Sequence, residues 1–414
     1  MSNPYAMFVG IDLGSQTHAV CVVDADGNVV DRQRVEHGGA AIDQMLAWLE
    51  EQIAPTTPQS VGVALEAPRG AMIDALLERG YALFSINPKQ LDRFRDRYSV
   101  AGAKDDGRDA YVLAASLRTD LMHYRKLEPD HPLIVRLREL SRAEEALQQD
   151  WRRGANQLWS YLQRYFPAVL EWAPAADELW LFDLLQQTQA QPQRAARWTL
   201  SRLDTLLRRH HIRRFTATQL QQQLQHPLTL ADGVEVALAE QVLLLLPRLR
   251  LLYRQRSDLV RRIEQLLEDM AQPENFPEHR SVQILRSIPG VGRVLTATVL
   301  SEAVTPLFQR DYHALRALAG VAPVTKQSGK TKIVSMRRAC NGRFRNALIN
   351  TSGVHIQKDA RAKQTYAQLR SKGNSHARAL RGVADRLLHL ICVLLKHDQL
   401  YDPRRRYSTH DAAA

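Results

Sequence analysis

The chain has 414 residues, and its 56 Lys and Arg against 44 Asp and Glu leave a net charge of +12. That length predicts two or three domains with sizeable cores, and the basic excess suits a polyanionic partner, nucleic acid foremost. Three scattered cysteines (Cys21, Cys340, Cys392) exclude a disulfide framework and a zinc-ligand spacing, which fits a reducing cytoplasm. No apolar stretch approaches the roughly 20 residues of a membrane span, and no basic-then-apolar signal pattern opens the chain. The expectation is a soluble, cytoplasmic protein with no membrane partner.

Residues 1–125 read as an α/β domain. "MFVGIDLG" (7–14) and "THAVCVVDADGNVVDRQRVEH" (17–37) predict three successive strands, with "DADGN" as the tight turn between the second and third. "AAIDQMLAWLEEQ" (40–52) places Ile42, Met45, Leu46 and Leu49 on one helical face. "SVGVALEA" (60–67) predicts a buried strand, "AMIDALLERG" (71–80) a helix closed by glycine, and "YALFSINP" (81–88) another strand. A three-strand meander followed by alternating helices and strands is the order of a ribonuclease-H-like mixed sheet. The expected fold class is therefore α/β plus α.

Residues 126–279 predict a helical, coiled-coil-like connector. Leu137, Leu140, Leu147, Trp151, Leu158 and Tyr161 form one seam, interrupted by Glu144 and Gly154. A weakly patterned stretch (167–230) follows. Val242, Leu245, Leu249, Leu252, Leu259, Ile263, Leu266 and Met270 then form a second seam that Arg256 breaks, with Pro247 marking a kink or the start of the helix. Two such helices either pair as an intramolecular hairpin or join protomers, and a homo-oligomer, dimer to tetramer, is expected. A mainly helical domain over 280–397 and a disordered tail over 398–414 complete the expected organisation.

The acids carry the chemistry. Asp12 ends the first strand in "GIDLGS" and Glu66 ends the fourth in "ALEAP". Neighbouring strands would bring both carboxylates to one edge. Asp106 and Asp109 are spaced i, i+3 at the start of the helix "DDGRDAYVLAASL", which predicts one helix face for both and leaves Asp105 as the spare. Acids crowded in this way repel unless a cation compensates, and hard oxygen ligands select Mg²⁺ or Mn²⁺. Such ions can activate an attacking oxygen and stabilise a leaving one at a phosphodiester. "GIDLGSQTHAV" also resembles the first phosphate motif of the actin, chaperone and sugar-kinase ATPases. Those proteins need further glycine-rich loops, and the one Gly-Gly pair of this chain is Gly38-Gly39.

Further on, "LRSIPGVGRVLTATVLSEA" (285–303) reads as a helix-hairpin-helix, in which Gly290 and Gly292 would expose backbone N–H groups to a phosphate. Next comes a strongly basic segment, with Lys326, Lys330, Lys332, Arg337, Arg338, Arg343 and Arg345 expected on a phosphate-contacting surface. Ser328-Gly329 sits between its lysines.

Taken in order, GIDLG, a strand-end Glu, K-x-D-x-x-D-A, a long helical insert, IPGVG and LAGVAPxxxxSG resemble the transposases of the insertion-sequence-110 family, relatives of the Piv-type DNA invertases. The resemblance covers about 1–125 and 280–396. It implies a RuvC-like domain with a DEDD tetrad on Asp12, Glu66, Asp106 and Asp109, and a transposase-domain serine, the nucleophile, on Ser328. Where the family usually has Thr before the third acid, this chain has Asp105. The resemblance also implies donor and target DNA as substrates, a tetrameric synapse, and a structured noncoding bridge RNA that pairs with both DNAs. Two other readings remain: a RuvC-like junction endonuclease in which metal-bound water attacks, and a non-catalytic nucleic-acid scaffold.

Overall fold

A computed structural model describes residues 4–66, 69–98, 106–226, 228, 233–329 and 331–405. They fall into two compact units, 1–130 and 131–414.

In the first unit, β1 (Met7–Leu13), β2 (Thr17–Asp24) and β3 (Val29–Glu36) form the expected antiparallel meander. Helix α1 (Gly39–Ile53) leads to β4 (Val61–Leu65), and α2 (Ala71–Glu78) leads to β5 (Ala82–Ser85). Helices α3 (Pro88–Tyr98) and α4 (Asp106–Asp120) follow, and a short β6 (Arg125–Lys126) closes the unit. The sheet order is β3-β2-β1-β4-β5-β6, with β4 parallel to β1 and β5 parallel to β4. This is a ribonuclease-H-like mixed sheet.

The central strands are buried on both faces, which is why they read as near-continuous apolar runs rather than as alternation. Helix α1 covers one face through Ile42, Met45, Leu46, Leu49 and Ile53. Helix α4 covers the other through Ala110, Val112, Leu113, Ala114 and Leu117. It lies so close to β1 that a Cβ on Gly10 would stand 1.9 Å from the Ala110 carbonyl oxygen. The first glycine of "GIDLG" is thus spent on helix–sheet packing, and Gly14 on the turn after β1, where a Cβ would meet the Thr17 carbonyl oxygen at 2.3 Å. Neither needs a nucleotide phosphate to explain it.

The second unit begins with α5 (Pro132–Tyr165). Four shorter helices, α6 (Leu179–Gln187), α7 (Pro192–Ala196), α8 (Leu200–Arg209) and α9 (Ala217–Leu224), lead to α10 (Val234–Asp269). Ile134 and Leu137 share a core with Ile263, Leu266 and Met270, whereas Trp151 and Leu158 share another with Val242 and Leu249. The two long helices therefore run antiparallel and spend their seams on each other. Of the two arrangements open to the sequence, the structure shows the intramolecular hairpin. Pro247 lies inside α10 rather than at its start.

The far end of this hairpin is capped by α6–α9, whose core is rich in aromatic rings: Trp180 and Trp172 both pack on Phe215. Its near end joins α11 (His279–Ser287), α12 (Arg293–Glu302), α13 (Val304–Phe308), α14 (Tyr312–Leu318), α15 (Gly342–Lys358), α16 (Ala360–Ser371) and α17 (His376–Lys396). Between α14 and α15 stands a two-stranded ribbon, β7 (Pro323–Ser328) and β8 (Thr331–Met336). Residues 398–405, expected within a disordered tail, are instead tied down. The Tyr401 backbone N–H donates to Ser287 Oγ at 2.9 Å and the Tyr401 hydroxyl donates to Asp359, while Arg280 donates to Asp398 at 2.9 Å. Among the described residues, no helix is long and apolar enough to cross a membrane.

Candidate functional site

Strands β1 and β4 are parallel neighbours in the register Ile11↔Leu65. The next residues are Asp12, still within β1 and paired with Ala19 of β2, and Glu66, the first residue past β4, so the two acids stand side by side at the carboxyl edge of the sheet. Helix α4 brings Asp109 over the same edge, because its first turn rides on Gly10. Asp109 is buried, at 2% exposure, whereas Asp106 is exposed one turn earlier. The predicted common face of these two acids thus divides: one carboxylate turns inward and the other stands at the rim. Asp105 lies outside the described residues.

A residue that carries no motif in the sequence organises the acids. Arg95 of α3 donates from Nε to Asp109 Oδ1 at 2.7 Å and from Nη2 to Asp109 Oδ2 at 2.8 Å, a bidentate pair. The same Nη2 lies 3.4 Å from Glu66 Oε1, and Nη1 donates to Asp92 at 2.6 Å. Three carboxylates, from the end of β4, from α3 and from α4, therefore share one cation. The sequence carried only part of the signal: Asn87 before Pro88 starts a helix and Leu91 and Phe94 mark its apolar face, but the partner of Arg95 is set by how α3 lies against α4.

Among the described residues, no three His, Cys, Asp or Glu close on a single point. The acids surround a guanidinium instead. The donor chemistry still fits a divalent ion. Asp12, Glu66 and Asp109 offer hard carboxylate oxygens at one sheet edge, and their negative charge already draws in a positive group.

In the second unit, residues 288–292 connect α11 to α12 as the expected helix-hairpin-helix. Gly290 has φ +87°, and a Cβ there would meet the His355 backbone at 2.8 Å. Its role is to let α15 approach, and His355 Nδ1 bonds the Pro289 carbonyl at 2.6 Å. Gly292 is different. It precedes α12 with no side-chain cap and with open space about it.

Ser328 is the last residue of β7, and it faces Thr331 across the ribbon. Residues opposite one another in an antiparallel pair share a face, so Ser328, Thr331, Lys326 and Ile333 lie on one side and Gln327 and Lys332 on the other. The ribbon is solvent-exposed along β8, Ile333 and Val334 included. Gly329 turns the chain at φ +54°. Lys330 lies outside the described residues.

The basic residues separate by role. Lys326, Lys332 and Arg338 are exposed, while Arg337 and Arg345 are half-buried. Arg343 is not a free surface cation. It donates to Glu302 at 2.6 Å, to Glu145 and to Ser141, and so joins α15 to α12 and α5. Arg142 and Asn341 also donate to Glu302, at 3.0 Å each. Burial alone would raise the Glu302 carboxyl. These hydrogen bonds and the two arginine charges outweigh burial and hold it down at about 2. Arg293, Arg343, Arg345 and Arg381 line a cleft of about 830 Å³ beside Gly290 and Gly292.

Residues 9–167 match a family model described as a transposase, and residues 282–367 match one described as the transposase IS116/IS110/IS902 family. A Streptomyces coelicolor protein, provisionally assigned as the mini-circle transposase for IS117, is 31% identical over 411 residues, 97% of each chain. The chain belongs to the IS110 family of transposases. A Sinorhizobium fredii relative is 41% identical over 217 residues, which take in 52% of this chain and 60% of that one. The uncharacterized 42 kDa protein of insertion element IS900 from Mycobacterium paratuberculosis is 26% identical over 97% of this chain and 98% of its own. Membership of the IS110 family makes DNA the substrate and brings a divalent-metal requirement with the DEDD domain. The first match takes in Asp12, Glu66, Asp106 and Asp109, and the second takes in the 288–292 hairpin and Ser328.

Proposed function

We propose that this transposase cuts and rejoins insertion-element and target DNA through a phosphoserine intermediate. Asp12, Glu66, Asp106 and Asp109 hold Mg²⁺ or Mn²⁺, and Ser328 is the nucleophile. The observation that supports the metal role most directly is the convergence of Asp109 and Glu66 on the Arg95 guanidinium, at 2.7–3.4 Å, with Asp12 on the adjoining strand end. Carboxylates held together in this way need a positive partner. When bound, the metal supplies electrophilic help at the scissile phosphate.

Ser328 Oγ forms a bond to phosphorus while the bond to the 3′ oxygen breaks. The serine proton ends on that oxygen as a free 3′-OH. The reverse step on an exchanged strand reseals DNA and releases the serine, so no external energy is consumed. Lys326 shares the face of Ser328 and offers a positive charge to the phosphate. Lys332, Arg337, Arg338 and Arg345 extend the grip on the nucleic acid, and the open N-terminus of α12 at Gly292 supports the helix-hairpin-helix part of it. Target choice is delegated to a bridge RNA, and the working assembly is a homo-oligomer.

A denaturing gel of labelled DNA tests the chemistry. Wild type should give a covalent protein–DNA adduct, and Ser328→Ala should give neither adduct nor recombination while still binding DNA. Equal cleavage by both without any adduct would hand the reaction to water and make the chain a RuvC-like junction endonuclease. Sequencing the RNA that co-purifies with the protein tests the guide; absence of any element-derived RNA would remove it.

A further inference from the structure

The helical insert carried on the far end of the long hairpin has no part in the chemistry above, yet it concentrates charge. Residues 179–226, from the start of α6, contain seven arginines and two acids, Asp183 and Asp204. That surplus of five stands beside a net +12 for the whole chain. All seven arginines are exposed.

Folding neutralises only part of this charge. Arg208 pairs with Asp204 at 2.8 Å, and Arg214 with Glu178 at 2.6 Å. Asp183, from α6, is taken by Arg250 at 2.6 Å and His210 at 2.8 Å, with Arg209 at 3.8 Å. Two further acids that face the insert, Glu171 and Glu235, accept from the neutral side chains of Gln223 and Gln193. Among the described residues, Arg194, Arg197 and Arg213 form no ion pair. Arg202 lies against the Trp198 ring, its guanidinium carbon 4.1 Å from the centroid, which holds the planar group in place at the surface. A face that merely keeps a helix in solution mixes both signs of charge. Here arginine dominates.

The two large aromatic rings next to these arginines in sequence narrow the kind of polyanion. Trp198 and Phe215 are both 5% exposed, so neither ring is free to stack an unpaired base, as aromatic platforms for single strands and RNA loops do. Arginine forks without a stacking platform suit the phosphate oxygens of a double helix. We propose that the insert is a second nucleic-acid surface, which grips the backbone of duplex DNA through Arg194, Arg197, Arg202 and Arg213 without reading its sequence. It uses neither the acids nor Ser328, and so stands or falls apart from the chemistry proposed above.

The test uses the full chain, a labelled DNA duplex of arbitrary sequence, and binding measured across a salt series. Replacing Arg194, Arg197 and Arg213 together by alanine should weaken binding roughly tenfold and flatten the log–log salt slope by about 2–3, nearly one unit for each phosphate no longer neutralised. The three side chains hold no ion pairs to abandon, so the melting temperature should not move; if it does, the corresponding glutamine variant must give the same weakening at wild-type stability. Lysine at all three positions should keep the slope. Coincident slopes for wild type and variant would overturn the assignment. So would a weakening confined to a folded RNA hairpin, with duplex binding intact.

Discussion

Glu144 and Arg256, the charged residues that break the seams of the two long helices, meet each other: Arg256 Nε donates to Glu144 Oε1 at 2.9 Å. Each looks like a flaw in its own helix, and together they are one ion pair that fixes the register of the two. Glu144→Ala should cost about 1–3 kcal/mol, because it leaves a half-buried guanidinium without its acceptor. Replacing both by leucine should recover most of that cost. Chemical unfolding of the two single variants and the double variant measures the coupling; additive effects would mean that the two side chains act independently.

Gly154, the other interruption, sits where a Cβ would approach Leu249 Cδ2 to 2.6 Å. Gly154→Leu should overfill the interface and cost about 1–3 kcal/mol. Adding Leu249→Ala should return part of it, since the space needed is the space that Leu249 occupies. Melting temperatures of the pair of variants decide the matter.

The Glu302 cluster predicts a pH dependence. Its carboxyl is held at about 2 against an ordinary value near 4.5. A depressed acid contributes stability that is present above its unfolded value and lost as pH falls through the folded one. Wild type should therefore lose roughly 1–3 kcal/mol between pH 4.5 and 2 that Glu302→Gln does not lose. Arg343→Ala should lower the melting temperature and leave the salt slope of DNA binding nearly unchanged, whereas exposed Arg338 should affect the slope alone.

Asp109→Asn should abolish strand cleavage while nucleic-acid binding survives. Asp106→Asn should match it, and Asp105→Asn should be milder; the reverse order of the last two would exchange their roles.

Arg95→Ala should be destabilised in chelator, since Asp109 is then buried at 2% exposure without its counter-charge. Mn²⁺ or Mg²⁺ should restore the variant by more than it raises wild type. Thermal unfolding with and without the ion gives the answer. An Arg95→Ala protein indifferent to divalent ions would separate the acid cluster from metal binding.

Much of the molecule is legible in the sequence because it is local. The meander, the strand-end positions of Asp12 and Glu66, the long helices and the helix-hairpin-helix all follow from periodicity and glycine placement over short windows. Arg95 is not legible in the same way. "DRFRDRY" offers three arginines and two aspartates at close spacing, and which of them turns toward Asp109 depends on how α3 lies against α4. Arg343, expected on a phosphate-contacting surface, is tied up in the fold for a related reason. A count of neighbouring charges in sequence cannot register Glu145, which lies 198 residues earlier and meets it only once the chain has folded. Ser328 falls beside a turn as its sequence suggests, but its side of the ribbon required the pairing register.

The α5–α10 pair enters both cores of the second unit, the aromatic one beneath the insert and the one beneath the helix-hairpin-helix. At 34 residues, α5 is about 50 Å long. If DNA is held at the insert as proposed, the helix pair that enters both cores is the covalent and packed link between that end and α11, α12 and α15.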